Sequence, residues 1–314
     1  MVEPSPTSTK AADEKKKRII CGRCKYPKEK ACICCALPET PLYTLFKRCR
    51  MIVLQHPHEL RRKNRSLPLV ELALFGERIS NDTVEQEDAK ATKDEDFVMK
   101  TIVGRRIGDK SDEGILKILR DPTEVVLLVF PHSDAMDIHD GIALAESKIK
   151  DNNVKADGES PKADKKINLI FIDASWKHAI EMNNKTEAAG IWPKNMIRVQ
   201  LTPSSQQDTT QDSSSDNAFI QRRFQIRAPP SPDHLSTAEC LAWIASRVEN
   251  NPEIYEGIMK VLDYMVELWR GFANVAAQGD TVGDKRNRAG RSFSDGDGCR
   301  EMSQKRRKIP SNKT

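Results

Sequence analysis

The sequence predicts an α/β protein whose largely parallel sheet is flanked by helices. The prediction depends on three apolar runs, at residues 51–55, 125–130 and 168–172. Continuous apolar runs of this length are typical of strands buried on both faces, as strands are in parallel sheets. Each run stops at polar residues or proline, and open α/β sheets bind ligands beyond the carboxyl ends of such strands. We therefore expect the functional groups at that edge of the sheet.

Length and composition limit the class of protein. The chain has 314 residues, of which 38% are hydrophobic and 31% charged, which indicates a globular core with polar tails and insertions. It has no apolar run of membrane-spanning length and no signal peptide. We therefore expect a soluble protein of the nucleus and/or cytoplasm with no membrane partner.

The charge is unevenly distributed. The net charge of +5 combines +2 for residues 1–20, +7 for residues 285–314 and −4 for residues 21–284. Because the central part is net acidic, the overall charge does not indicate nucleic-acid binding by the core. Any such binding must depend on local basic patches.

The composition also divides the chain into segments. We predict one domain at residues 21–275, which contains a zinc element at 21–38 and a disordered, low-complexity insertion at 202–217. Residues 1–20 and 276–314 are predicted to be disordered tails. The second tail is basic, and Lys305–Lys308 has the character of a nuclear localisation signal.

A group of cysteines begins the domain. Five of the eight cysteines lie between Cys21 and Cys35, and such crowding in an intracellular chain favours a metal over disulfides. Two close pairs, Cys21 with Cys24 and Cys32 with Cys34, can complete a tetrahedral zinc site, which is expected to be structural because four thiolates leave no open position. Cys35 is a fifth candidate, and unliganded buried thiols are the alternative.

The first apolar run leads into a basic segment. After residues 51–55 come His56-Pro57-His58-Glu59, where the proline marks a break and a helix can begin. Residues 47–65 contain seven Lys/Arg and one Glu. Such a cluster beside a strand end can bind phosphate or be a solvated helix face, and both interpretations stay open. A core helix at residues 67–75 and a short strand at 101–104 are predicted next.

The second and third runs end in candidate functional groups. Residues 125–130 lead into Pro131-His132-Ser133, and residues 168–172 lead into Asp173-Ala174-Ser175-Trp176. A polar insertion at 146–166 separates the two runs. The alternative is that Asp173 and Ser175 only cap the helix predicted over residues 177–189. A strand at residues 197–201 follows.

A helix start is predicted near the end of the domain. Ser236-Thr237-Ala238-Glu239 has the spacing of a capping box before an amphipathic helix at residues 240–248, and a second helix begins at Pro252. Capping can be the whole role of Ser236 and Glu239. The helix N-terminus can also bind an anionic group such as a cofactor carboxylate.

These motifs together resemble the DTW-domain family over residues 21–275. The family's Asp-x-Thr-Trp signature is similar to the segment at Asp173, with Ser175 in the threonine position. Similar elements also occur in family order elsewhere, and they are the cysteine pairs, Pro27, His56-Pro57-x-Glu59 with Arg62, Phe224 with Arg227, and Leu235-Ser236-Thr237-x-Glu239. Tyr26 departs from the pattern, because the family usually has arginine there.

The resemblance implies a fold and an activity. Members resemble the SPOUT class, with a knotted α/β fold that binds S-adenosylmethionine at the knot. They act as tRNA-uridine aminocarboxypropyltransferases, which move the 3-amino-3-carboxypropyl group to N3 of a uridine and leave 5′-methylthioadenosine. The alternatives are a SPOUT-like RNA methyltransferase and a non-enzymatic, zinc-dependent RNA-binding module.

The resemblance also suggests residue roles that suit this chemistry. N3 of uridine must lose a proton before it attacks, and Asp173 is the first choice of base, with Glu59 or Glu239 as substitutes. Trp176 can stack on adenine or uracil, or be a core indole. The full expected set is catalytic Asp173, Ser175, Trp176 and Glu59; cofactor-binding Pro131, His132, Ser133, Ser236, Thr237 and Glu239; and RNA-binding His56, Arg62 and Arg227.

Overall fold

A parallel sheet of six strands forms the centre of the chain. The computed structural model describes residues 18–62, 65–78, 97–108, 113–154, 165–201, 224, 226 and 235–279. The strands are β1 (Cys49–Gln55), β2 (Met99–Val103), β3 (Val125–Val129), β4 (Met136–Asp137), β5 (Ile167–Asp173) and β6 (Ile197–Gln200). Their order across the sheet is β2-β1-β5-β3-β6-β4.

The α/β prediction is confirmed, and the three apolar runs are β1, β3 and β5. All seven residues of β1 are buried, because β1 lies between two neighbouring strands and beneath helices on both faces. β5 extends one residue beyond the predicted run and includes Asp173 as its last residue. The short strand β4 was not expected from the sequence, and two residues are too few for a hydrophobic period to show.

Helices cover both faces of the sheet. The described residues contain α1 (Lys28–Ala31), α2 (Pro57–Leu60), α3 (Leu67–Phe75), α4 (Glu113–Arg120), α5 (Ile138–Val154), α6 (Trp176–Ala188), α7 (Thr237–Glu249) and α8 (Pro252–Gly279), of which α1 belongs to the N-terminal cysteine element. Successive side chains of a strand point to opposite faces. Accordingly, Met51 and Val53 pack in a cluster with α3, α7 and α8, whereas Ile52 and Leu54 pack with α4 and α6.

Two stretches differ from their predicted character, and several others fall outside the described residues. The polar stretch that begins at residue 146 is the second half of α5, since Ala145 and the residues before it pack the helix against the core. α8 continues past residue 275 to Gly279. The predicted disordered insertion at 202–217, most of the N-terminal tail and residues 280–314 lie outside the described ranges.

The N-terminal cysteine element packs against the main core. Cys24, Ile33 and Leu42 belong to the same hydrophobic cluster as α7 and α8. The backbone of α8 approaches Leu42 so closely that a Cβ on Gly257 would lie 2.8 Å from the leucine Cδ1. The element is thus part of the domain's core and not a separate unit.

The end of α7 holds the beginning of β1. The carboxylate of Glu249 accepts hydrogen bonds from the backbone N–H groups of Lys47, Arg48 and Cys49 at 2.8–3.0 Å. Within the described ranges, none of the helices has both the length and the apolar content needed to cross a bilayer.

Candidate active site

The carboxyl ends of β1 and β5 form the centre of the candidate site. The two strands are adjacent and parallel, with Gln55 opposite Asp173. The Gln55 side-chain amide donates a 2.7 Å hydrogen bond to Asp173 Oδ2, and the N–H of His56 donates to the Asp173 carbonyl at 2.9 Å. The structure therefore places Asp173 at the ligand edge of the sheet, with its carboxylate oriented by the neighbouring strand.

Ser175 occupies the N-cap position of α6 without acting as its side-chain cap. Its backbone is extended and its side chain makes no capping hydrogen bond. The Oγ atom instead lies 2.9 Å from Nδ1 of His178, one helical turn along. The capping interpretation therefore does not account for the Ser175 hydroxyl. The hydroxyl instead positions the imidazole of His178.

Trp176 lies at the surface and stacks on Phe130, the residue that follows β3. Its side chain is 43% exposed, so the core-indole interpretation is wrong. The indole lies with its ring centroid 5.9 Å from that of Phe130, at an interplanar angle of 22°. Since Phe130 directly precedes Pro131, this contact joins the start of α6 to the loop after β3.

A group of three histidines surrounds this edge. His56 is buried, and its ring stacks on that of His178 with a centroid separation of 4.1 Å and an interplanar angle of 5°. His58 meets both rings edge-on. Burial, followed by the neighbouring imidazoles of His178 and His58 and by Arg105, lowers the pKa of His56. These surroundings therefore favour the neutral form of the His56 ring.

Glu59 is buried and faces an arginine of its own helical segment. Only 3% of Glu59 is exposed, and its Oε1 atom lies 3.3 Å from Nη1 of Arg62. β1 separates the basic residues of segment 47–65 into two groups, one at each end of the strand. Arg48 and Arg50 lie at the amino end of β1, where they pair with Glu146 and Glu124.

The loop after β3 carries the predicted cofactor residues Pro131, His132 and Ser133, all of them exposed. His132 Nδ1 contacts the Asp134 carboxylate, and Arg198 Nε lies 3.6 Å from the same carboxylate. Beside this loop is a cavity of about 480 Å³, bordered by Asp134, Met136, Trp192 and Arg198 among others. A cavity of this size falls in the range of small-molecule sites.

The structure confirms the capping box at the start of α7. The Ser236 hydroxyl accepts a hydrogen bond from the Glu239 N–H, and the Glu239 carboxylate accepts one from the Ser236 N–H at 2.8 Å. The other Glu239 oxygen accepts the Phe224 N–H at 2.8 Å, so this buried carboxylate also anchors the segment before the helix. Thr237 is the first residue of α7, and Arg227 lies outside the described residues.

The predicted metal-binding cysteines form one compact group. The Sγ atoms of Cys21 and Cys34 are 3.5 Å apart, those of Cys24 and Cys32 are 3.8 Å apart, and all four lie within 4.8 Å of one another. Sulfur atoms bound to a tetrahedral zinc are about 3.8 Å apart, because the Zn–S bond is about 2.3 Å. Backbone hydrogen bonding from Cys24 lowers the pKa of the Cys21 thiol to about 6, whereas burial raises the pKa of the Cys32 and Cys34 thiols. By the spacing of their sulfur atoms, the four cysteines could hold a metal ion.

Four residues of this edge were not singled out from the sequence, and they are Gln55, His58, Phe130 and His178. A local signal existed only for His178, which follows Ser175 at the helical spacing that brings side chains together. The other three contribute through strand pairing and loop proximity, which single-sequence patterns do not encode.

Comparison with known proteins gives a family and several relatives. A family model described as the DTW domain matches residues 18–270. The chain is 26% identical over 246 residues to tRNA-uridine aminocarboxypropyltransferase 2 of Mus musculus, covering 78% of this chain and 62% of that protein. It is 26% identical over 256 residues to tRNA-uridine aminocarboxypropyltransferase A of Arabidopsis thaliana, covering 81% and 82% of the two chains.

The relative from Macaca fascicularis, also a tRNA-uridine aminocarboxypropyltransferase 2, is 24% identical over 247 residues. The match spans 62% of the length of both this relative and the mouse protein. No solved structure matches the chain.

Proposed function

The chain belongs to the DTW domain family, and on this premise we propose that it transfers the 3-amino-3-carboxypropyl group of S-adenosylmethionine to N3 of a uridine in tRNA. The observation that carries the proposal is the match to relatives named tRNA-uridine aminocarboxypropyltransferase across about four-fifths of this chain. Polar side chains at the carboxyl ends of β1, β3 and β5 support it, because this edge is where open α/β sheets bind substrates.

The donor is proposed to bind in a SPOUT-like knot at that edge. The parallel sheet with helices on both faces is compatible with such a fold. Pro131, His132 and Ser133 would form one wall of the binding site, and the N-terminus of α7 at Ser236, Thr237 and Glu239 would favour the donor's carboxylate. S-Adenosylmethionine supplies a sulfonium leaving group, so the chain's own residues have to orient the γ-carbon and accept the uridine proton.

Asp173 is proposed as the base. Its carboxylate takes the proton from N3, the N3 lone pair forms a bond to the γ-carbon, and the C–S bond breaks to release 5′-methylthioadenosine. The hydrogen bond from Gln55 supports this role, because it orients the carboxylate before the substrate arrives. Glu59 is less suited, since it is buried and faces Arg62.

The RNA is proposed to approach over the exposed side of α6 and the end of β1. The exposed Trp176 ring, supported by Phe130, offers a surface on which a splayed-out base can stack. Arg62 would contact the backbone or the base beside it, because nearly half of its side chain is exposed. His56 is less suited to this role, since it is buried. A contact with the RNA is also proposed for Arg227. N3 lies on the Watson–Crick edge of uridine, so the target must be unpaired or flipped.

Zinc is proposed for Cys21, Cys24, Cys32 and Cys34. The sulfur separations support it, since they match the spacing around a tetrahedral ion. The ion would be structural and would take no part in the transfer.

The decisive experiment is mass spectrometry of tRNA nucleosides after incubation with the purified full chain and S-adenosylmethionine. We expect 3-(3-amino-3-carboxypropyl)uridine together with one equivalent of 5′-methylthioadenosine. S-Adenosylhomocysteine as the by-product would identify a methyltransferase instead. Binding of tRNA without any product would point to a non-enzymatic RNA-binding module.

A further inference from the structure

The three histidines at the edge of β1 and β5 come from two separate elements. His56 and His58 lie on either side of Pro57 at the end of β1, and His178 lies in the first turn of α6. Each ring offers one nitrogen, and these nitrogens all lie within 4.8 Å of one another. This arrangement is a direct consequence of the pairing between β1 and β5, which aligns the two strand ends.

The ligand type and the grouping of the three nitrogens are those of a transition-metal site. Neutral imidazole binds zinc, copper and nickel, and ligand nitrogens on a tetrahedral zinc are about 3.4 Å apart because the Zn–N bond is about 2.0–2.1 Å. The three nitrogens lie within 4.8 Å of one another, so the rings would move closer together on binding an ion. His58 is exposed and His178 is half-buried, so both rings have room to rotate towards a shared ion.

A supporting hydrogen bond already orients one of the rings. Ser175 Oγ lies 2.9 Å from His178 Nδ1, which leaves Nε2 of that ring as the ligand atom. Metal-binding histidines typically use their other nitrogen in this way. His56 Nδ1 accepts the N–H of His58 at 3.2 Å, a long bond that can be exchanged for a metal bond.

We propose that His56, His58 and His178 bind one divalent transition-metal ion of the zinc class, at a second site separate from the four cysteines. Three protein ligands leave an open coordination position, in contrast to the closed set of four thiolates. The site adjoins Asp173, because the Asp173 carbonyl accepts the His56 N–H. Water or an oxygen of a bound nucleotide can take the open coordination position. This proposal does not depend on the transfer reaction.

Metal content of the full chain tests the proposal. The protein is stripped of metal, reloaded with zinc, and analysed for zinc per chain. We expect two equivalents in the parent, one in the His58→Gln/His178→Gln double variant, and one in Cys24→Ser/Cys32→Ser. Cobalt loading distinguishes the sites, because only the cysteine site gives sulfur-to-metal charge-transfer bands. The double histidine variant should therefore keep those bands and the cysteine variant should lose them.

Two further variants make the test specific. His139→Gln removes an imidazole that packs on Trp243 and is not one of the three grouped rings, and it should retain both equivalents. Ser175→Ala removes only the supporting hydrogen bond and should weaken zinc binding at the histidine site by about 10- to 100-fold. The single His58→Gln variant changes an exposed side chain, so it tests metal loss even if the double variant does not fold. One zinc in the parent that Cys24→Ser/Cys32→Ser loses, or two in His58→Gln/His178→Gln, would overturn the proposal.

Discussion

At the scale of single residues, the proposed chemistry depends on the environment of Asp173. The carboxylate lies at the end of a buried strand and is held by the Gln55 amide at 2.7 Å. A fixed carboxylate of this kind can accept a proton without first reorganising. The same residue pair also joins β1 to β5, so the proposed base is positioned by the sheet itself.

Replacing Asp173 by Asn tests this assignment. Asparagine retains an oxygen that can accept the Gln55 hydrogen bond, but it cannot take the uridine proton. We expect turnover to fall by about 10²- to 10⁴-fold, with the unfolding temperature and S-adenosylmethionine binding close to those of the parent. Nucleoside mass spectrometry over a time course measures the rate. Asp151→Asn, on the exposed side of α5, should react at the parental rate. Parental turnover in Asp173→Asn would show that another group takes the proton.

Asp173 could be selected from the sequence, whereas the residues that contact it could not. An apolar run followed by a carboxylate is a local pattern, so Asp173 could be selected without a structure. Gln55 could not, because it lies 118 residues away and meets Asp173 only through strand pairing. The exposure of Trp176 was equally inaccessible, since an indole after a strand suits a core as well as a surface.

At the scale of elements, the cysteine group behaves as part of the core. Cys24 is fully buried, and its neighbours Ile33 and Leu42 pack with α8. A metal that closes this element would therefore stabilise contacts well beyond the four thiols.

The Cys24→Ser/Cys32→Ser variant should lose the zinc proposed for this element and lower the stability of the whole domain. Serine keeps the size of the side chain but binds zinc poorly, so the stability that metal binding contributes to folding is lost. Zinc analysis and thermal unfolding measure the two effects. Cys240→Ser, a half-buried cysteine in α7, is the matched control and should keep this zinc. If the cysteine group of the parent protein holds no zinc, metal binding does not contribute to the stability of this element.

The start of α7 allows capping to be separated from cofactor binding. Ser236→Ala removes the hydroxyl that accepts the Glu239 N–H and should lower the unfolding free energy by about 1 kcal/mol. Urea unfolding measures this cost, and calorimetry measures S-adenosylmethionine affinity in the same variant. Unchanged affinity would restrict Ser236 to capping. A clear loss of S-adenosylmethionine affinity under conditions where the variant is fully folded would support a contact with the donor.

At the scale of the whole molecule, Glu249 connects distant parts of the chain. Its carboxylate accepts three backbone N–H groups that lie about 200 residues earlier, at the entrance to β1. The last turn of α7 is thereby fixed to the beginning of β1, the second strand of the sheet.

Glu249→Gln should lower the unfolding free energy by about 2 kcal/mol, because the new amide N–H₂ faces a backbone N–H that then has no acceptor. Chemical denaturation measures the change. Glu256→Gln, on an exposed position of α8, should unfold at nearly the parental midpoint. Equal midpoints for the two variants would mean that the three N–H groups are satisfied without the carboxylate.

The fold class could be predicted, whereas the arrangement of the strands could not. β1, β3 and β5 each carry a local hydrophobic signal, but their order β2-β1-β5-β3-β6-β4 depends on long connections. That order decides which loops meet, and hence that His178 joins His56 and His58. Local patterns therefore indicate where functional groups lie on each strand, and only the assembled sheet shows which of them become neighbours.

The parallel direction of the sheet also separates two kinds of loop. The segments that lead into β2 and β5 reach the amino edge, and seven residues of β5 place about 20 Å of strand between that edge and Asp173. Changes of loop length just before Met99 or Ile167 therefore occur far from the reacting groups. A change of chain length ahead of either strand that keeps the strand in place is therefore expected to leave the chemistry at Asp173 undisturbed.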